Sequence, residues 1–454
     1  MEDIAEYIDR HFEEYVQRLA FLCSFETLAA ERRGFEEGAE RVASMFEAIG
    51  GDPRIIPYEG TPYVVTHMPG TGDHTLAFYN HFDTYPIGPL SAWETPPFEL
   101  TRRDNRLIGR GACDNKGNIV ARLSAVEAYK AVRGELPMNI LFFQDAEEEI
   151  GSPTLGKFIN HHTDILQADG WIWEAGGKDA SDRLEIFLGA HGILYVDLEV
   201  TTAAESIHGS YAGSFPNAIW RLVWALNTIQ DEQGRVRIPH FYDAVQPVTA
   251  DMRDLLASLP VDLEQLRNKL RIADWPENVP ENRLSVLEQQ YVAPYASIIG
   301  MGGGHQAEGV GIILPHRANA RLGFFLVPDQ DPDDLLTLLR DYLIDQGFGD
   351  VKITVEATLP PAGTPPTAGL ARCLAETAAG IYDPTPAVFP SMRGISPMGY
   401  ITKPFGVPVM GTGVGYIDSR IHQPNENIRI EDFVQNIKLM AAFIESAAGV
   451  EDWG

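Results

Sequence analysis

The sequence predicts an α/β protein, a mostly parallel sheet flanked by helices, that is interrupted by an inserted α+β domain. Between residues 51 and 192, short apolar runs alternate with helical stretches, as in a parallel sheet covered on both faces. Near residue 193, apolar and polar residues begin to alternate, which is typical of half-buried strands. A Pro-rich stretch, LPPAGTPP at 359–366, predicts a linker back to the first domain. We therefore expect a discontinuous first domain (1–192 and 366–454) and a second domain at 193–365.

The first domain begins with two predicted helices in residues 1–50, the second over 35–49. Its clearest strands are TLAFYN (75–80), MNILFFQ (138–144) and GWIW (170–173), with a helix over 116–132 between the first two. After the linker, the pattern predicts a strand at 407–410 and a closing helix at 430–447. Continuous apolar strands separated by helices indicate buried parallel pairing.

The inserted domain has fewer elements. Its predicted strands cover 194–200, 321–327 and 350–357, and its helices cover 217–229 and 331–346. Two helices beside a small antiparallel sheet make an α+β module. A charged segment with several prolines, 231–290, is interpreted as an insertion within it.

Composition narrows the possible partners. The 454 residues carry 35 Lys and Arg against 64 Asp and Glu, a net charge of −29, which argues against nucleic acid and anionic membranes. There is no apolar run of about 18 residues that would predict a membrane span. The N-terminus lacks a basic start and an apolar core, and three cysteines without CxxC spacing indicate a reducing compartment. We expect a cytoplasmic protein.

Polar side chains cluster just after the predicted strands. His81 and Asp83 follow the first strand, the run EEE at 147–149 follows the second, and Glu174 follows the third. His422 lies beyond the strand at 407–410, and GRGACDNKG at 109–117 precedes a helix. Because ligands bind at the carboxyl ends of strands in open α/β sheets, one crevice could collect these side chains. Imidazole and carboxylate ligands suit a divalent metal ion.

These motifs, in this order, resemble the M20 family of metallopeptidases and amidohydrolases, which includes dipeptidases, carboxypeptidases, aminoacylases and deacylases. The matching segments are HFDTYP (81–86), GRGACDNKG (109–117), EEEIGS (147–152), IHGSYAGSFPNA (207–218), LVPDQDP (326–332) and HQPNE (422–426). The resemblance covers about residues 75–430. It implies a zinc-exopeptidase-like catalytic domain and an inserted domain that serves as lid and dimerisation module.

The resemblance also implies a ligand set for two divalent metal ions, zinc first, with manganese or cobalt as alternatives. The implied ligands are His81, Asp114, Glu149, Glu174 and His422. Asp114 would bridge both ions, His81 and Glu174 would complete the first position, and Glu149 and His422 would hold the second. The Asp114–Asn115 peptide is typically cis in this family.

Three further residues receive catalytic roles from the resemblance. Glu148 would be the general base, and Asp83 would orient His81. His208, in the inserted domain, would stabilise the oxyanion, and in dimeric members its equivalent reaches the partner subunit's active site. We therefore expect a homodimer that hydrolyses an amide bond in a small peptide or N-acyl amino acid, through a metal-bridged water.

The predicted substrate pocket departs from the family pattern. Phe325 stands where many members carry an Arg that pairs with the substrate carboxylate, and Ile395 stands where a Ser is common. Losing a guanidinium fork removes a strong anion contact, although Arg321 or Arg393 could replace it. The substrate-binding candidates are Asn217, Phe325, Arg393, Ile395 and Ser396. An uncharged or aromatic non-peptide amide is therefore an alternative substrate, and Phe325 could equally be a core residue.

Two other functions stay open. A non-catalytic, metal-bearing binding protein is possible, although a retained Glu148 argues against it. A phosphate-binding enzyme built on the glycines at 302–304 lacks the GxxxxGK[ST] or GxGxxG context.

Overall fold

The computed structural model describes residues 1–174, 176–272, 282–392 and 394–454. The helices are α1 (Glu2–Arg10), α2 (Phe12–Cys23), α3 (Phe35–Ala48), α4 (Lys116–Arg133), α5 (Leu155–His161), α6 (Ala218–Ile229), α7 (Ala250–Ser258), α8 (Leu263–Leu270), α9 (Arg283–Tyr291), α10 (Pro332–Asp345), α11 (Gly369–Ala379), α12 (Gly399–Phe405) and α13 (Ile430–Ala447).

The strands reach their greatest length, nine or ten residues, in the insertion. They are β1 (Asp52–Tyr58), β2 (Thr61–Met68), β3 (Thr75–His81), β4 (Thr101–Arg103), β5 (Arg106–Ile108), β6 (Asn139–Asp145), β7 (Gly170–Trp173), β8 (Gly177–Lys178), β9 (Glu185–Phe187), β10 (Gly189–Ala190), β11 (Gly192–Thr201), β12 (Ile207–His208), β13 (Tyr295–Gly303), β14 (Ile313–Leu314), β15 (Arg317–Leu326), β16 (Lys352–Leu359), β17 (Ala362–Gly363), β18 (Ala387–Phe389), β19 (Val409–Gly411), β20 (Gly415–Tyr416) and β21 (Asn427–Arg429).

The chain forms two compact units. The first comprises Met1–Gly189, Gly363–Pro390 and Tyr400–Gly454, and the second comprises Ala190–Ala362 and Ser391–Gly399. The predicted fold class, α/β with an α+β insertion, is confirmed. The segment Ser391–Gly399 differs from the sequence-based division, which put it in the first domain; in the structure Ile395 forms a β-bridge with His191 of the second unit.

The first unit is built on a mixed sheet with the strand order β1-β2-β6-β3-β7-β19-β9-β18. Its centre is parallel, because β3 pairs in parallel with β6 and β7, and β19 pairs in parallel with β7. The central strands are apolar and buried, as parallel strands must be when layers cover them. Helix α4 packs on β3 and α3 packs on β2, while α13 packs on α4.

The register of the parallel strands determines what lies at their carboxyl ends. His81 ends β3 directly opposite Asp145, which ends β6, and Ala77 of β3 pairs with Trp171 of β7. The turns that follow these three strands therefore begin at the same edge of the sheet. Glu148 and Glu174 lie in those turns.

The second unit is an antiparallel sheet with the order β13-β15-β11-β16. Along β11, buried residues alternate with partly exposed ones, and the buried face forms a core with residues of α6 and α10. The charged segment predicted as an insertion contains α7, α8 and α9. Part of that segment, 273–281, lies outside the described residues.

The N-terminal helix is shorter than its apolar spacing predicts. Apolar residues recur at helical spacing from Ile4 through Leu19, which predicts one continuous helix. In the structure the helix breaks at His11, whose backbone (φ −102°, ψ 11°) leaves the helical region. The His11 ring stacks on Tyr7 at 3.8 Å between centroids, and its Nδ1 lies 2.8 Å from the Tyr7 carbonyl oxygen. The side chain thus shares a carbonyl that the helix backbone also uses. No helix in the described residues is both long and apolar enough to cross a bilayer.

Candidate metal centre

The first half of the candidate site surrounds His81 at the end of β3. Its Nε2 lies 3.1 Å from Asp114 Oδ1 and 3.0 Å from Glu174 Oε2. The His81 side chain is fully buried, and Glu174 is 6% exposed. The ring therefore presents one nitrogen to two carboxylates away from water.

The second half surrounds His422, in the loop before β21. Its Nε2 lies 2.9 Å from Glu149 Oε2 and 3.2 Å from Asp114 Oδ2. Asp114 thus directs one carboxylate oxygen to each imidazole. The structure brings together all five side chains that the sequence predicts as metal ligands.

The donor set fits divalent metal ions. Two donors on one zinc ion, with bonds near 2.1 Å at the tetrahedral angle, lie roughly 3.4 Å apart, close to the separations described above. Asp83 Oδ1 lies 3.1 Å from His81 Nδ1, so a neutral ring that donates there offers only a lone pair at Nε2. Glu174 Oε2, which faces that nitrogen, is buried and lacks a hydrogen-bond donor among the described residues. Two facing acceptors at 3.0 Å require a cation or a proton between them.

The pKa values of the two histidines also indicate that the site stabilises positive charge. Hydrogen bonds with Asp114 and Glu149 raise the pKa of His422 to about 10. Burial opposes protonation of His81, but Glu174 and then Asp114 raise its pKa well above its usual value. Each imidazole lies in a field that stabilises a positive charge at the position a metal ion would take.

Crowding acts on the glutamates in the opposite direction. Burial, followed by the charge of Glu174, raises the pKa of Glu148 well above its usual value. Burial also raises the pKa of Glu149 to about 7, despite its hydrogen bond with His422. So many carboxylates in one buried place are stable together only with compensating cations.

Glu148 lies beside the cluster without facing either pair directly. Its Oε2 is 3.9 Å from His81 Nε2, and its side chain is 23% exposed, more than that of Glu174 or Glu149. It could still reach an ion, because one of its oxygens lies within 4.8 Å of the ligand atoms of His81 and Glu174. Position alone suits it to accept a proton from a water next to the first pair.

Asp83 connects His81 of the first half of the site to the turn that carries Glu149 of the second half. Besides its contact with His81 Nδ1, it accepts the backbone N–H of Glu148 at 3.3 Å and of Glu149 at 3.0 Å. The side chain is fully buried. The sequence predicts that Asp83 orients His81, but it does not predict the hydrogen bonds that Asp83 accepts from the turn that carries Glu148 and Glu149.

The Asp114 loop is also fixed from neighbouring segments. The Asp114–Asn115 peptide is cis, as the resemblance implies. Asn80, at the end of β3, donates from Nδ2 to the Asn115 side-chain oxygen. Buried amide contacts of this kind limit the rotation of the residue that faces both imidazoles.

Two residues that sequence reasoning did not select contact the site. The Tyr85 ring stacks on His422 at 4.3 Å with an interplanar angle of 15°, and the Tyr85 backbone N–H donates to Glu149 Oε1 at 3.0 Å. Glu426 accepts the N–H of Asp114. Both lie inside quoted motifs, HFDTYP and HQPNE, so the motif itself was the only signal that could have selected them.

His208 belongs to the second unit, at the end of β12, and it is exposed. Its Nδ1 accepts the N–H of Ser210 at 3.2 Å. A neutral ring that accepts at Nδ1 carries its proton on Nε2, which leaves Nε2 as a donor. This is the tautomer that an oxyanion would need.

The predicted substrate-binding residues of the second unit have local partners. Asn217 caps α6, because its Oδ1 accepts the N–H of Ile219 at 2.9 Å and of Trp220 at 3.2 Å. Ile395 is 44% exposed, and Ser396 is buried. Arg393 lies outside the described residues.

Phe325 lies on the sheet face opposite to the core of the second unit. It stacks on Tyr295 at 4.5 Å and meets Tyr195 edge-on at 5.9 Å. On the same strand, the Arg321 guanidinium is paired with Asp197 at 3.0 and 3.1 Å. Arg321 is therefore already neutralised, and Phe325 extends an aromatic surface.

An α/β sheet whose strand ends carry two imidazole–carboxylate pairs is typical of metal-dependent hydrolases. The model of peptidase family M20/M25/M40 matches residues 77–446. The chain therefore belongs to this peptidase family and is a metal-dependent peptide hydrolase.

Several known proteins are similar over almost their whole length. The Beta-Ala-His dipeptidase of Rattus norvegicus is 26% identical, covering 98% of this chain and 94% of the relative. The Cys-Gly metallodipeptidase dug1 of Schizosaccharomyces pombe is 23% identical and covers 99% of both. Among solved structures, an M20 family metallo-carboxypeptidase from Sulfolobus solfataricus has 32% identity and a TM-score of 0.85, with 96% of this chain and 99% of that chain covered.

Proposed function

We propose that the protein hydrolyses the amide bond of small peptides at a centre of two divalent metal ions. The shared carboxylate of Asp114, which faces both His81 and His422, is the observation that carries the proposal. His81, Asp114 and Glu174 would hold one ion, and Asp114, Glu149 and His422 would hold the other. Zinc suits these ligands, and manganese or cobalt would also fit.

The chain's own groups would then move the protons. When bound, divalent ions acidify water and polarise the scissile carbonyl group. Glu148 accepts the proton of the attacking water and later delivers it to the leaving amine. His208 donates from Nε2 to the developing oxyanion. Asp83 keeps the His81 ring and the Glu148 turn in place.

Dipeptides are the first substrates that we propose, because the similar Beta-Ala-His and Cys-Gly dipeptidases carry such names. Phe325 favours a second candidate, an uncharged or aromatic amide, because it offers an aromatic face where a carboxylate-binding Arg is expected. N-acyl amino acids remain in the same class of reaction.

A panel of matched substrates tests both candidates. We expect the zinc-, manganese- or cobalt-loaded protein to cleave Ala-Phe and its C-terminal amide with kcat/KM values within roughly 10-fold of each other. The reason is that a missing charged hydrogen bond, worth about 1.5–3 kcal/mol, leaves little preference for the carboxylate. Liberated alanine is the readout.

The alternative results are equally informative. A preference for the free carboxylate well above 100-fold would contradict the role of Phe325 and point to another anion-binding group. Metal binding without cleavage of any dipeptide, N-acyl amino acid or neutral amide would overturn the proposal in favour of a binding protein.

We also propose a homodimer formed through the second unit. Strand β13 lies at the edge of its sheet and exposes Ile298 (51%), Ile299 (50%) and Met301 (46%). On α6, Trp220 and Trp224 are 57% and 55% exposed and stack on each other. A strand at the edge of the described sheet and a pair of exposed indoles are both suited to contact with a second copy of the chain.

The double variant Trp220→Asp and Trp224→Asp should be monomeric at micromolar concentration, because it buries two charges in the proposed interface. Analytical ultracentrifugation gives the mass, and Leu270→Asp, at a side chain that is 59% exposed on α8, is the control. If His208 acts across the dimer, the monomer should keep its metal content and lose turnover. A double variant with the mass of the wild type would contradict this interface.

Cytoplasmic localisation remains part of the proposal. Cys23, Cys113 and Cys373 are buried free thiols, which suits a reducing compartment.

A further inference from the structure

Glu426 has no place in the chemistry proposed above, although it ends the same motif as His422. Its side chain is completely buried. Oε1 accepts the N–H of Cys113 and of Asp114, both at 2.9 Å. Oε2 accepts Arg110 Nη1 at 2.6 Å and the N–H of Gly111 at 3.1 Å. A carboxylate has about four acceptor positions, so these four donors saturate it.

The contact joins the two segments that carry the shared ligand and the second imidazole. Glu426 follows His422 by four residues, and its carboxylate holds the backbone of Asp114. On the same side, the Gly109 N–H donates to the Glu426 carbonyl at 2.9 Å, and β21 pairs with β5 from Asn427 and Ile108 onwards. The two segments are therefore clamped through both side chain and backbone.

The buried charge of Glu426 is compensated inside the clamp. The Arg110 side chain is 1% exposed, and its Nη2 donates to the Pro86 carbonyl at 3.1 Å. Pro86 closes the segment that begins with His81. The guanidinium thus connects a third ligand-bearing segment to the same carboxylate, and charge-assisted hydrogen bonds of this kind are the strong ones.

We infer that Glu426 is a positioning residue for the metal centre: through the Asp114 backbone, it fixes the carboxylate that faces both imidazoles and ties it to the His422 loop. The inference rests on the proposed metal-binding function. Metal affinity would then depend on the Glu426 carboxylate, which contacts the Asp114 backbone and none of the atoms that would bind metal.

The variant Glu426→Gln keeps the shape of the side chain but loses one of its two hydrogen-bond acceptor atoms. A Gln side chain can offer its oxygen to only one of the two donor pairs, so its NH2 group faces the N–H groups of the other pair. We expect cobalt(II) to bind roughly 10- to 100-fold more weakly, the range typical when outer partners of metal ligands are removed. The ion held with His422 should be affected more, because both of its anchoring segments loosen.

The experiment is a cobalt(II) titration of the metal-free protein. Calorimetry measures the affinities, and the visible absorption spectrum reports the coordination of the bound ion. Glu127→Gln is the matched control, because Glu127 forms a two-pronged ion pair with Arg18, both distances 2.6 Å, at the outer part of α4. This control should lower the melting temperature without changing the cobalt affinity or spectrum.

Three outcomes are separable. A wild-type protein that fails to bind two cobalt ions contradicts the proposed function itself. If the wild type binds two ions, and the folded Glu426→Gln protein binds cobalt with the same affinities and the same spectrum, only the inference about Glu426 is overturned. If Glu426→Gln does not fold, as judged by circular dichroism, Arg110→Lys is the second test. Lysine keeps the positive charge but cannot bind Glu426 and the Pro86 carbonyl with two separate nitrogens. Unchanged cobalt binding by Arg110→Lys would also overturn the inference.

Discussion

Replacing Glu148 by Gln is expected to abolish turnover while the protein retains its metal ions. Gln has nearly the same volume but cannot accept the proton of the attacking water, and loss of a general base costs roughly 10²–10⁴-fold in rate. Glu148 lies 3.9 Å from His81 Nε2, farther than Glu174 or Asp114. The measurements are kcat for a dipeptide and metal content by mass spectrometry after dialysis.

Glu147→Gln is the matched control for this variant. Glu147 is the preceding residue, but its buried carboxylate accepts the hydroxyl of Thr154 at 2.8 Å and lies 3.3 Å from Arg32 Nη1. Its replacement should lower stability and leave kcat nearly unchanged. Wild-type kcat in Glu148→Gln would refute the assignment of the base, and loss of an ion would make Glu148 a ligand.

Replacing Asp114 by Asn is expected to weaken both ions, whereas replacing His422 by Ala should weaken only one. Asp114 is the carboxylate whose two oxygens face different imidazoles, at 3.1 and 3.2 Å. An amide removes the negative charge and one of the two acceptor atoms, so one position loses its oxygen ligand and the other keeps only a neutral, weaker oxygen. We expect Asp114→Asn to bind substantially less than one ion per chain, and His422→Ala to bind close to one.

Metal-to-protein ratios of dialysed samples and cobalt titrations provide the measurement. The control is His161→Ala, since His161 lies on α5 and pairs with Tyr58 at 2.6 Å, outside the described cluster. It should retain both ions. Equal losses in Asp114→Asn and His422→Ala would show that the two positions fill cooperatively and would contradict independent pairs.

Much of the fold followed from local patterns. The apolar runs at 75–80, 138–144 and 170–173 became β3, β6 and β7 with ends shifted by at most one residue. Such strands are predictable because burial on both faces favours apolar side chains along the middle of each strand. The motifs that follow them marked the edge of the sheet where the candidate ligands meet.

Other features depend on contacts that periodicity does not encode. At the break, the His11 ring stacks on Tyr7 and lies within hydrogen-bond distance of the Tyr7 carbonyl oxygen. The segment around Ile395 joins the second unit through a bridge to His191, more than 200 residues earlier in the chain. Tyr85 and Glu426 act on ligands that lie far away in the sequence.

The surroundings of the predicted substrate-binding residues were the hardest feature to predict from the sequence. Phe325 was compatible with either a core or a pocket residue, and the structure places it between Tyr195 and Tyr295 on the sheet face opposite to the core. Arg321 was a candidate anion-binding group, and its pairing with Asp197 became visible only from the strand register. Asn217 caps a helix, a role that its position before α6 would also have predicted.

The sequence by itself determined the family, the α/β class, and which histidines and carboxylates could collect at one edge of a sheet, because residue type and strand periodicity are local properties. Only the tertiary structure decided that Asp114 faces both imidazoles, that Asp83 supports a neighbouring turn, and that Glu426 saturates its acceptor positions. These facts depend on angles and distances between segments as far apart as residues 81 and 426, which packing fixes and no single stretch of sequence contains.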